Sequence, residues 1–223
     1  MIIRLPSKFY YATNDPYAFA CVRNGKLYIR EYVGFESLMY SLTYSCKDYS
    51  KCGYCGQTLT TANCTLDHMY PRTLGGVSLP NNLLPCCRNC NNEKGGLTEK
   101  QYRELRTYHL PEERKHYAIN ANMQNRRMME SGQFAMPSKW LELYNIEKLI
   151  RVLNFEELVP ERCKKHEDYY QQYNAFMHPI VVSSNGWLLK GLHVVKCAKE
   201  NGVIEVPAII LENVVVLNME ESL

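Results

Sequence analysis

The sequence predicts an α+β fold organised around a small metal-bound centre. Three observations point there. Cysteines recur in pairs separated by two residues in the first half of the chain, short apolar runs flank Asn-Gly turns at both ends, and the middle carries helix-start signals. With 223 residues, 46% apolar and 22% charged, the composition is globular and long enough for one or two domains. A net charge of +3 permits nucleic-acid binding without arguing for it. The 17 tyrosines are expected to be half-buried packing residues. No apolar run has the length of a signal peptide or a membrane span, so a soluble, cytoplasmic protein with no membrane partner is expected. Ten cysteines in such a chain, paired at ligand spacing, favour reduced thiols and a metal over a disulfide framework.

The elements follow in order. Tyr17 to Arg23 and Lys26 to Val33 are strand-like, and Asn24-Gly25 suits a type I′ turn, which needs positive φ at both central positions. A short helix is expected from Phe35 to about Cys46. From Asp48 to Leu97, Cys, Gly, Asn and Pro replace long apolar runs, and such a segment needs a metal to organise it. Thr98-Glu99-Lys100-Gln101 has the form of a capping box and opens a helix to about Thr107. Pro111-Glu112-Glu113 starts another, ending near Gly132. Pro137-Ser138 is expected to introduce a third, with Trp140, Leu141, Tyr144, Leu149 and Val152 as its apolar stripe. After a polar stretch from Cys163 to Gln172, strands are expected at Pro179 to Ser183 and Trp187 to Lys190. A helix from Leu192 to Asn201 and strands at Ile204 to Leu211 and Val214 to Leu217 complete a β-β-α-β unit. The expected segments are thus 1–47 (hairpin and helix), 48–110 (metal-organised), 111–165 (helical) and 166–223 (a small α/β unit).

Cys52-Gly53-Tyr54-Cys55 and Cys87-Arg88-Asn89-Cys90 supply four thiolates, the closed tetrahedral shell of a structural zinc. Cys86 beside Cys87 could also close the second pair. Cys87 is preferred because it leaves a two-residue gap to Cys90. Cys21, Cys46, Cys64, Cys86, Cys163 and Cys197 are then expected to be ordinary buried thiols. The gap between the pairs far exceeds the roughly 15–20 residues of a plain zinc ribbon. It contains Thr65-Leu66-Asp67-His68-Met69-Tyr70-Pro71-Arg72, then Gly75-Gly76, then Asn81-Asn82-Leu83-Leu84-Pro85. The second pair runs into Asn91-Asn92-Glu93-Lys94-Gly95.

From Cys52 to Gly95 this order of elements resembles the HNH nuclease family: a cysteine pair, Asp-His-x-x-Pro, a Gly-Gly turn, Asn-Leu, a second cysteine pair, then Asn or His followed by Lys. His68 matches the first position, Asn82 the second and Asn91 the last, an H-N-N variant. The resemblance implies a ββα-metal fold with His68 at the end of its first strand and Asn91 on its helix.

The chemistry of these residues agrees with it. Phosphodiester hydrolysis needs an activated water and stabilisation of the phosphorane and leaving oxygens. An imidazole such as His68 can take a proton from water near neutral pH. Asp67 and Asn91 offer hard oxygen donors for a catalytic Mg²⁺ or Mn²⁺. Adjacent strand residues face opposite ways, so Asp67 and His68 can share a site only at a strand end or bend. Asn82 is expected to fix the loop near His68, and Arg72 and Lys94 are candidate phosphate contacts. The expected activity is metal-dependent cleavage of DNA, with RNA as the other possible substrate, leaving 5′-phosphate and 3′-hydroxyl ends. The competing expectation is a zinc-knuckle module that binds nucleic acid without cutting it.

The tail carries a second resemblance. Pro179-Ile180-Val181-Val182, Asn185-Gly186-Trp187-Leu188-Leu189, Gly191-Leu192-His193 and Val206-Pro207-Ala208-Ile209 are similar to part of the ParB-like fold. That family's phosphate-contacting helix-start motif survives here only as His193. The resemblance implies a nucleotide-binding or DNA-positioning unit, with His193 and Lys190 as phosphate contacts. The sequence leaves open a homo-oligomer or a protein partner.

Overall fold

The computed structural model describes residues 20–23, 25–30, 34–153 and 158–217. The chain divides into two compact units, one formed by residues 1–45 with 137–223 and the other by residues 46–136. Both mix helices with sheets, so the fold is α+β.

In the first unit, β1 (Ala20–Arg23) and β2 (Lys26–Arg30) form the expected antiparallel hairpin, with Gly25 at φ 75°. Residues 17–19, Asn24 and 31–33 of that expectation lie outside the described residues. Helix α1 (Phe35–Cys46) follows and buries Phe35, Leu38 and Met39. The third strand of the hairpin's sheet comes from the far end of the chain. There β10 (Val214–Leu217) pairs parallel to β2, with Val214 opposite Leu27, so the expected N-terminal and C-terminal segments share a sheet.

The second sheet of this unit has five strands in the order β5-β9-β7-β8-β6. Its members are β5 (Glu142–Asn145), β6 (Arg151–Val152), β7 (Ile180–Ser183), β8 (Trp187–Lys190) and β9 (Glu205–Leu211). Central β7 is fully buried, as an interior strand covered on both sides must be. Helix α6 (Leu192–Glu200) packs Val194, Val195 and Ala198 against this sheet.

The third helix expected after Pro137 does not form. A single 3-10 turn at Ser138–Trp140 leads instead into β5, a second such turn at Ile146–Lys148, and β6. The apolar spacing that suggested a helix is overridden by pairing: β5 runs antiparallel along the edge of β9, and Ile146 drops into the core. The polar stretch after Cys163 lies in helix α5 (Pro160–Tyr173), which has no fully buried residue. It therefore lacked an apolar stripe in the sequence.

The phosphate contacts expected in this tail are already engaged. His193 is buried, and its Nε2 accepts a hydrogen bond from the Val159 backbone N–H (3.1 Å). Lys190 is ion-paired with Glu36. Of the cysteines expected to be buried, Cys86 and Cys197 are, Cys64 and Cys163 are partly exposed, and Cys46 is exposed at the end of α1.

The unit of residues 46–136 contains an antiparallel hairpin, β3 (Cys64–His68) and β4 (Leu83–Cys87), followed at once by α2 (Arg88–Lys94). Helix α3 (Glu99–Leu105) starts at the expected capping box. Thr98 accepts from the Gln101 backbone, and the Gln101 side chain accepts from the Thr98 backbone. The long helix α4 (Pro111–Glu130) packs against α3, and the buried Asn125 exchanges two amide hydrogen bonds with Gln101 (2.8 and 3.0 Å). One buried cluster of this unit is sulfur-rich: Cys52, Cys86, Cys87 and Cys90 pack with Leu59, Leu97, Tyr102, Leu105 and Ala121. Among the described residues no helix is long and apolar enough to cross a membrane.

Candidate active site

The cysteine pairs converge because the hairpin and its flanking turns leave them little freedom. The first pair lies in a tight turn closed by Cys52 N–H to the Gln57 carbonyl (2.8 Å) and Gly56 N–H to the Cys52 carbonyl (2.9 Å). Gly53 N–H ties that turn to Pro85 of β4 (2.9 Å). A side chain at Gly53 would meet Leu84 at 2.8 Å, so the approach requires glycine. Cys87 ends β4 and caps α2, accepting from the Cys90 N–H, which places Cys90 one turn into the helix.

All four Sγ atoms lie within 4.8 Å of one another, and Cys55 and Cys87 are 3.8 Å apart. A tetrahedron with zinc–sulfur bonds of about 2.3 Å has edges of about 3.8 Å, so the four thiolates fit a zinc ion. The choice of Cys87 over Cys86 is settled by side-chain direction. Cys86 points away from the cluster, beside Thr65 Oγ1 (3.4 Å).

Bringing these sulfurs together without a cation is costly. Burial pushes the Cys90 thiol up to about 12. Burial opposes ionisation at Cys52 too, but the backbone N–H groups of Cys55, Cys87 and Tyr54 hold its thiol down to about 6. The Arg106 guanidinium donates to Cys90 Sγ (3.6 Å) and offsets part of the cluster's negative charge.

His68 is the last residue of β3, opposite Leu83. Its Nε2 is hydrogen-bonded to Ser78 Oγ (2.9 Å), and Ser78 is itself buried. The loop that returns Ser78 to the imidazole is built on Gly75-Gly76 and Asn82. Gly75 has φ 83° and sits against Phe134. A Cβ at Gly76 would lie 1.8 Å from the Tyr70 carbonyl oxygen, so this turn excludes any other residue at 76.

Asn82 is 1% exposed and uses its whole amide. Oδ1 accepts from the Tyr70 N–H (2.8 Å), and Nδ2 donates to the carbonyls of Tyr70 (3.1 Å) and Val77 (2.8 Å). These bonds brace the loop between Tyr70 and Val77. Asn82→Ala is expected to destabilise this unit by roughly 2–4 kcal/mol in urea unfolding, because three buried backbone groups lose their partners. A loss below about 0.5 kcal/mol would mean that the brace is dispensable.

Asp67 and His68 diverge, as consecutive strand residues must. The Asp67 carboxylate is 5% exposed and turns toward α2 and the first cysteine turn. Its Oδ2 accepts from the Tyr54 hydroxyl (2.5 Å), and Lys94 Nζ lies 3.1 Å from Oδ1 and 3.0 Å from Oδ2. Burial pushes the Asp67 carboxyl up and the Lys94 amine down, and in each case the partner's charge is the main counterweight. The same ammonium donates to the His68 carbonyl (2.8 Å).

Lys94, expected at a phosphate, is therefore 1% exposed and engaged in the interior. Asn91 stands one turn before it on α2, with Nδ2 donating to Thr65 Oγ1 (3.0 Å), two residues before Asp67 on β3. Arg72 is exposed on the loop that follows His68. Ser78, Tyr54 and Thr65 were not singled out in the sequence. Tyr54 had a visible signal, since it stands inside the first cysteine pair. Nothing local distinguishes Ser78 or Thr65.

Residues 52–104 match the model of a family described as HNH endonuclease. With the four-cysteine cluster and the β3-β4-α2 arrangement, that match identifies an HNH-type domain with a ββα-metal core. No curated protein matches the chain. One solved structure is similar over a limited stretch: SbnI with C-terminal truncation from Staphylococcus aureus, 23% identical, with 33% of this chain and 31% of that chain covered, at a TM-score of 0.28. This chain thus spans about a third of that protein's length, and the likeness is too loose to carry an argument.

Proposed function

We propose that the unit of residues 46–136 hydrolyses phosphodiester bonds in DNA, with His68 as the base that takes a proton from the attacking water. The observation that carries this reading is the placement of His68. A single imidazole stands at the last position of β3, held by Ser78, with a carboxylate before it in sequence and the Asn91 amide across on α2.

In this reading the zinc on Cys52, Cys55, Cys87 and Cys90 is structural. Its closed sulfur shell has no position for water. A hard divalent cation, Mg²⁺ or Mn²⁺, would supply charge stabilisation to the phosphorane and the leaving oxygen when bound. Asp67 and Asn91 are the donors that would hold it. Tyr54 and the Lys94 ammonium already hold the buried Asp67 carboxylate, so a cation would share it with Lys94, and the half-buried Asn91 is the more open of the two donors. Asn91 spends its amide nitrogen on Thr65 and keeps its carbonyl oxygen as a hard donor.

The work of this chain's own residues is then orientation and proton transfer. His68 presents its ring from a fixed strand end, and the Asn82-braced loop keeps Ser78 on the imidazole. Arg72, exposed on the next loop, is the candidate phosphate contact. Lys94 is part of the interior support.

The test is incubation of the zinc-loaded protein with supercoiled plasmid and with single-stranded DNA and RNA, with and without Mg²⁺. Divalent-dependent nicking that leaves 5′-phosphate ends is the expected result. The buried Asp67–Lys94 pair favours one other reading, a zinc-knuckle module that binds without cutting. Retardation of the nucleic acid with no cleavage, with or without Mg²⁺, would select that reading.

A further inference from the structure

We propose that Tyr54 and Lys94 are positioning residues that tie the thiolate cluster to His68 through the Asp67 carboxylate, so that zinc loading sets the strand end carrying the imidazole. The inference rests on the nuclease reading of His68.

Two lines run from the cluster to this strand end. The first passes through Tyr54, which lies between Cys52 and Cys55 and whose backbone N–H points at Cys52 Sγ (3.4 Å). Its ring is fixed edge-on to Tyr102 (5.0 Å between centroids, 90°), and the Arg103 guanidinium lies over it at 5.3 Å. With the ring held there, the hydroxyl reaches Asp67 Oδ2 at 2.5 Å. The second line starts at Cys90 and passes along α2 to Lys94, one turn further on. Its ammonium reaches both Asp67 oxygens and the His68 carbonyl. The backbone on which the imidazole pivots is therefore held from α2, and the residue before it from the first cysteine turn.

Burial gives these contacts their force. The Asp67 and Lys94 side chains are 5% and 0% exposed, so water cannot replace either partner if one is removed. Hydrogen bonds to ionised groups are also the stronger and more directional kind. Partners of this sort orient a carboxylate ligand and fix the geometry of the group beside it. A buried ion pair needs further partners for its remaining lone pairs and protons, and here they come from the strand end, through the His68 carbonyl, and from the zinc turn, through the Tyr54 hydroxyl.

The experiment uses the full, zinc-loaded chain as wild type, Tyr54→Phe and Lys94→Met. Three quantities are compared: zinc content, single-turnover plasmid cleavage in Mg²⁺, and the His68 ring ¹H–¹³C NMR cross-peak, identified by its loss in His68→Ala. Both variants are expected to keep the wild-type zinc content and a KM for DNA within about twofold, while the maximal rate falls roughly 10- to 100-fold. The His68 cross-peak is expected to shift or broaden in both.

Superposition of that cross-peak on the wild-type position in Tyr54→Phe overturns the proposal, whatever the cleavage rate. Loss of zinc and fold from the removal of this one oxygen overturns it as well, since Tyr54 would then be a plain structural residue. Should Lys94→Met fail to fold, Tyr54→Phe decides alone. If wild type itself does not cleave, the nuclease reading fails, and the cross-peak still decides whether Tyr54 sets the imidazole.

Discussion

Stripping zinc from this protein with a chelator at neutral pH is expected to unfold residues 46–136 and leave the five-stranded sheet of the other unit in place. The first cysteine turn and the start of α2 are packed around the thiolates. Four of the nine residues in that buried cluster are cysteines, and three of those are zinc ligands. The apparent free energy of a structural zinc site is on the order of 10–16 kcal/mol at pH 7, comparable to the whole net stability of a domain. Two unfolding transitions are expected in calorimetry of the loaded protein, and the one belonging to this unit should vanish on chelation. Cys90→Ser should have the same effect, with native mass spectrometry showing the loss of one zinc.

The pH dependence has a definite sign. Burial keeps the Cys90 thiol protonated up to about 12 in the absence of metal, so zinc must displace that proton on binding. Affinity should fall as pH falls, roughly tenfold per unit for each proton displaced. Cys52, held down to about 6, adds its own proton to that count only below that value. A calorimetric trace that is identical with and without chelator would remove the structural role of the cluster.

The second large effect is expected from His68→Ala: loss of about 10²- to 10⁴-fold in divalent-dependent cleavage, with zinc content unchanged. The substitution removes one hydrogen bond of the buried Ser78 hydroxyl, which costs about 1 kcal/mol and should show as a modest drop in the melting of this unit. His68→Gln keeps a hydrogen-bonding group on a side chain of similar reach and cannot take up the proton. It should therefore lose the activity and retain more of the stability. The pair of variants separates chemistry from packing. Wild-type cleavage by His68→Ala, in a preparation shown free of contaminating nuclease, would eliminate the imidazole as the base.

Much of this was legible in the sequence because it depends on local chemistry. Two-residue spacing is enough to bring a pair of thiols to one ion, and Thr98 with Gln101 announces its helix. Elements decided by partners far along the chain were hidden. The segment after Pro137 has a helical spacing of apolar residues and forms β5 and β6, because the open edge of β9 and the end of β8 take up its backbone hydrogen bonds. The N-terminal hairpin gave no sign that β10, nearly two hundred residues later, would join its sheet. Lys94 followed the pattern of an exposed basic residue at the end of a short helix. Only the packing of α2 on β3 buries it.

Residue type and short-range spacing in the sequence determined the four-thiolate shell, and the resemblance to the HNH nucleases supplied the Gly-Gly turn and the imidazole at the strand end. Tertiary structure alone decided what surrounds that imidazole: Ser78 on its ring, Lys94 on its carbonyl, and Tyr54 on the neighbouring carboxylate. A charged side chain is exposed in most contexts. It turns inward only where other elements close over it and supply enough acceptors to offset its lost hydration, and no pattern within the segment itself encodes that balance.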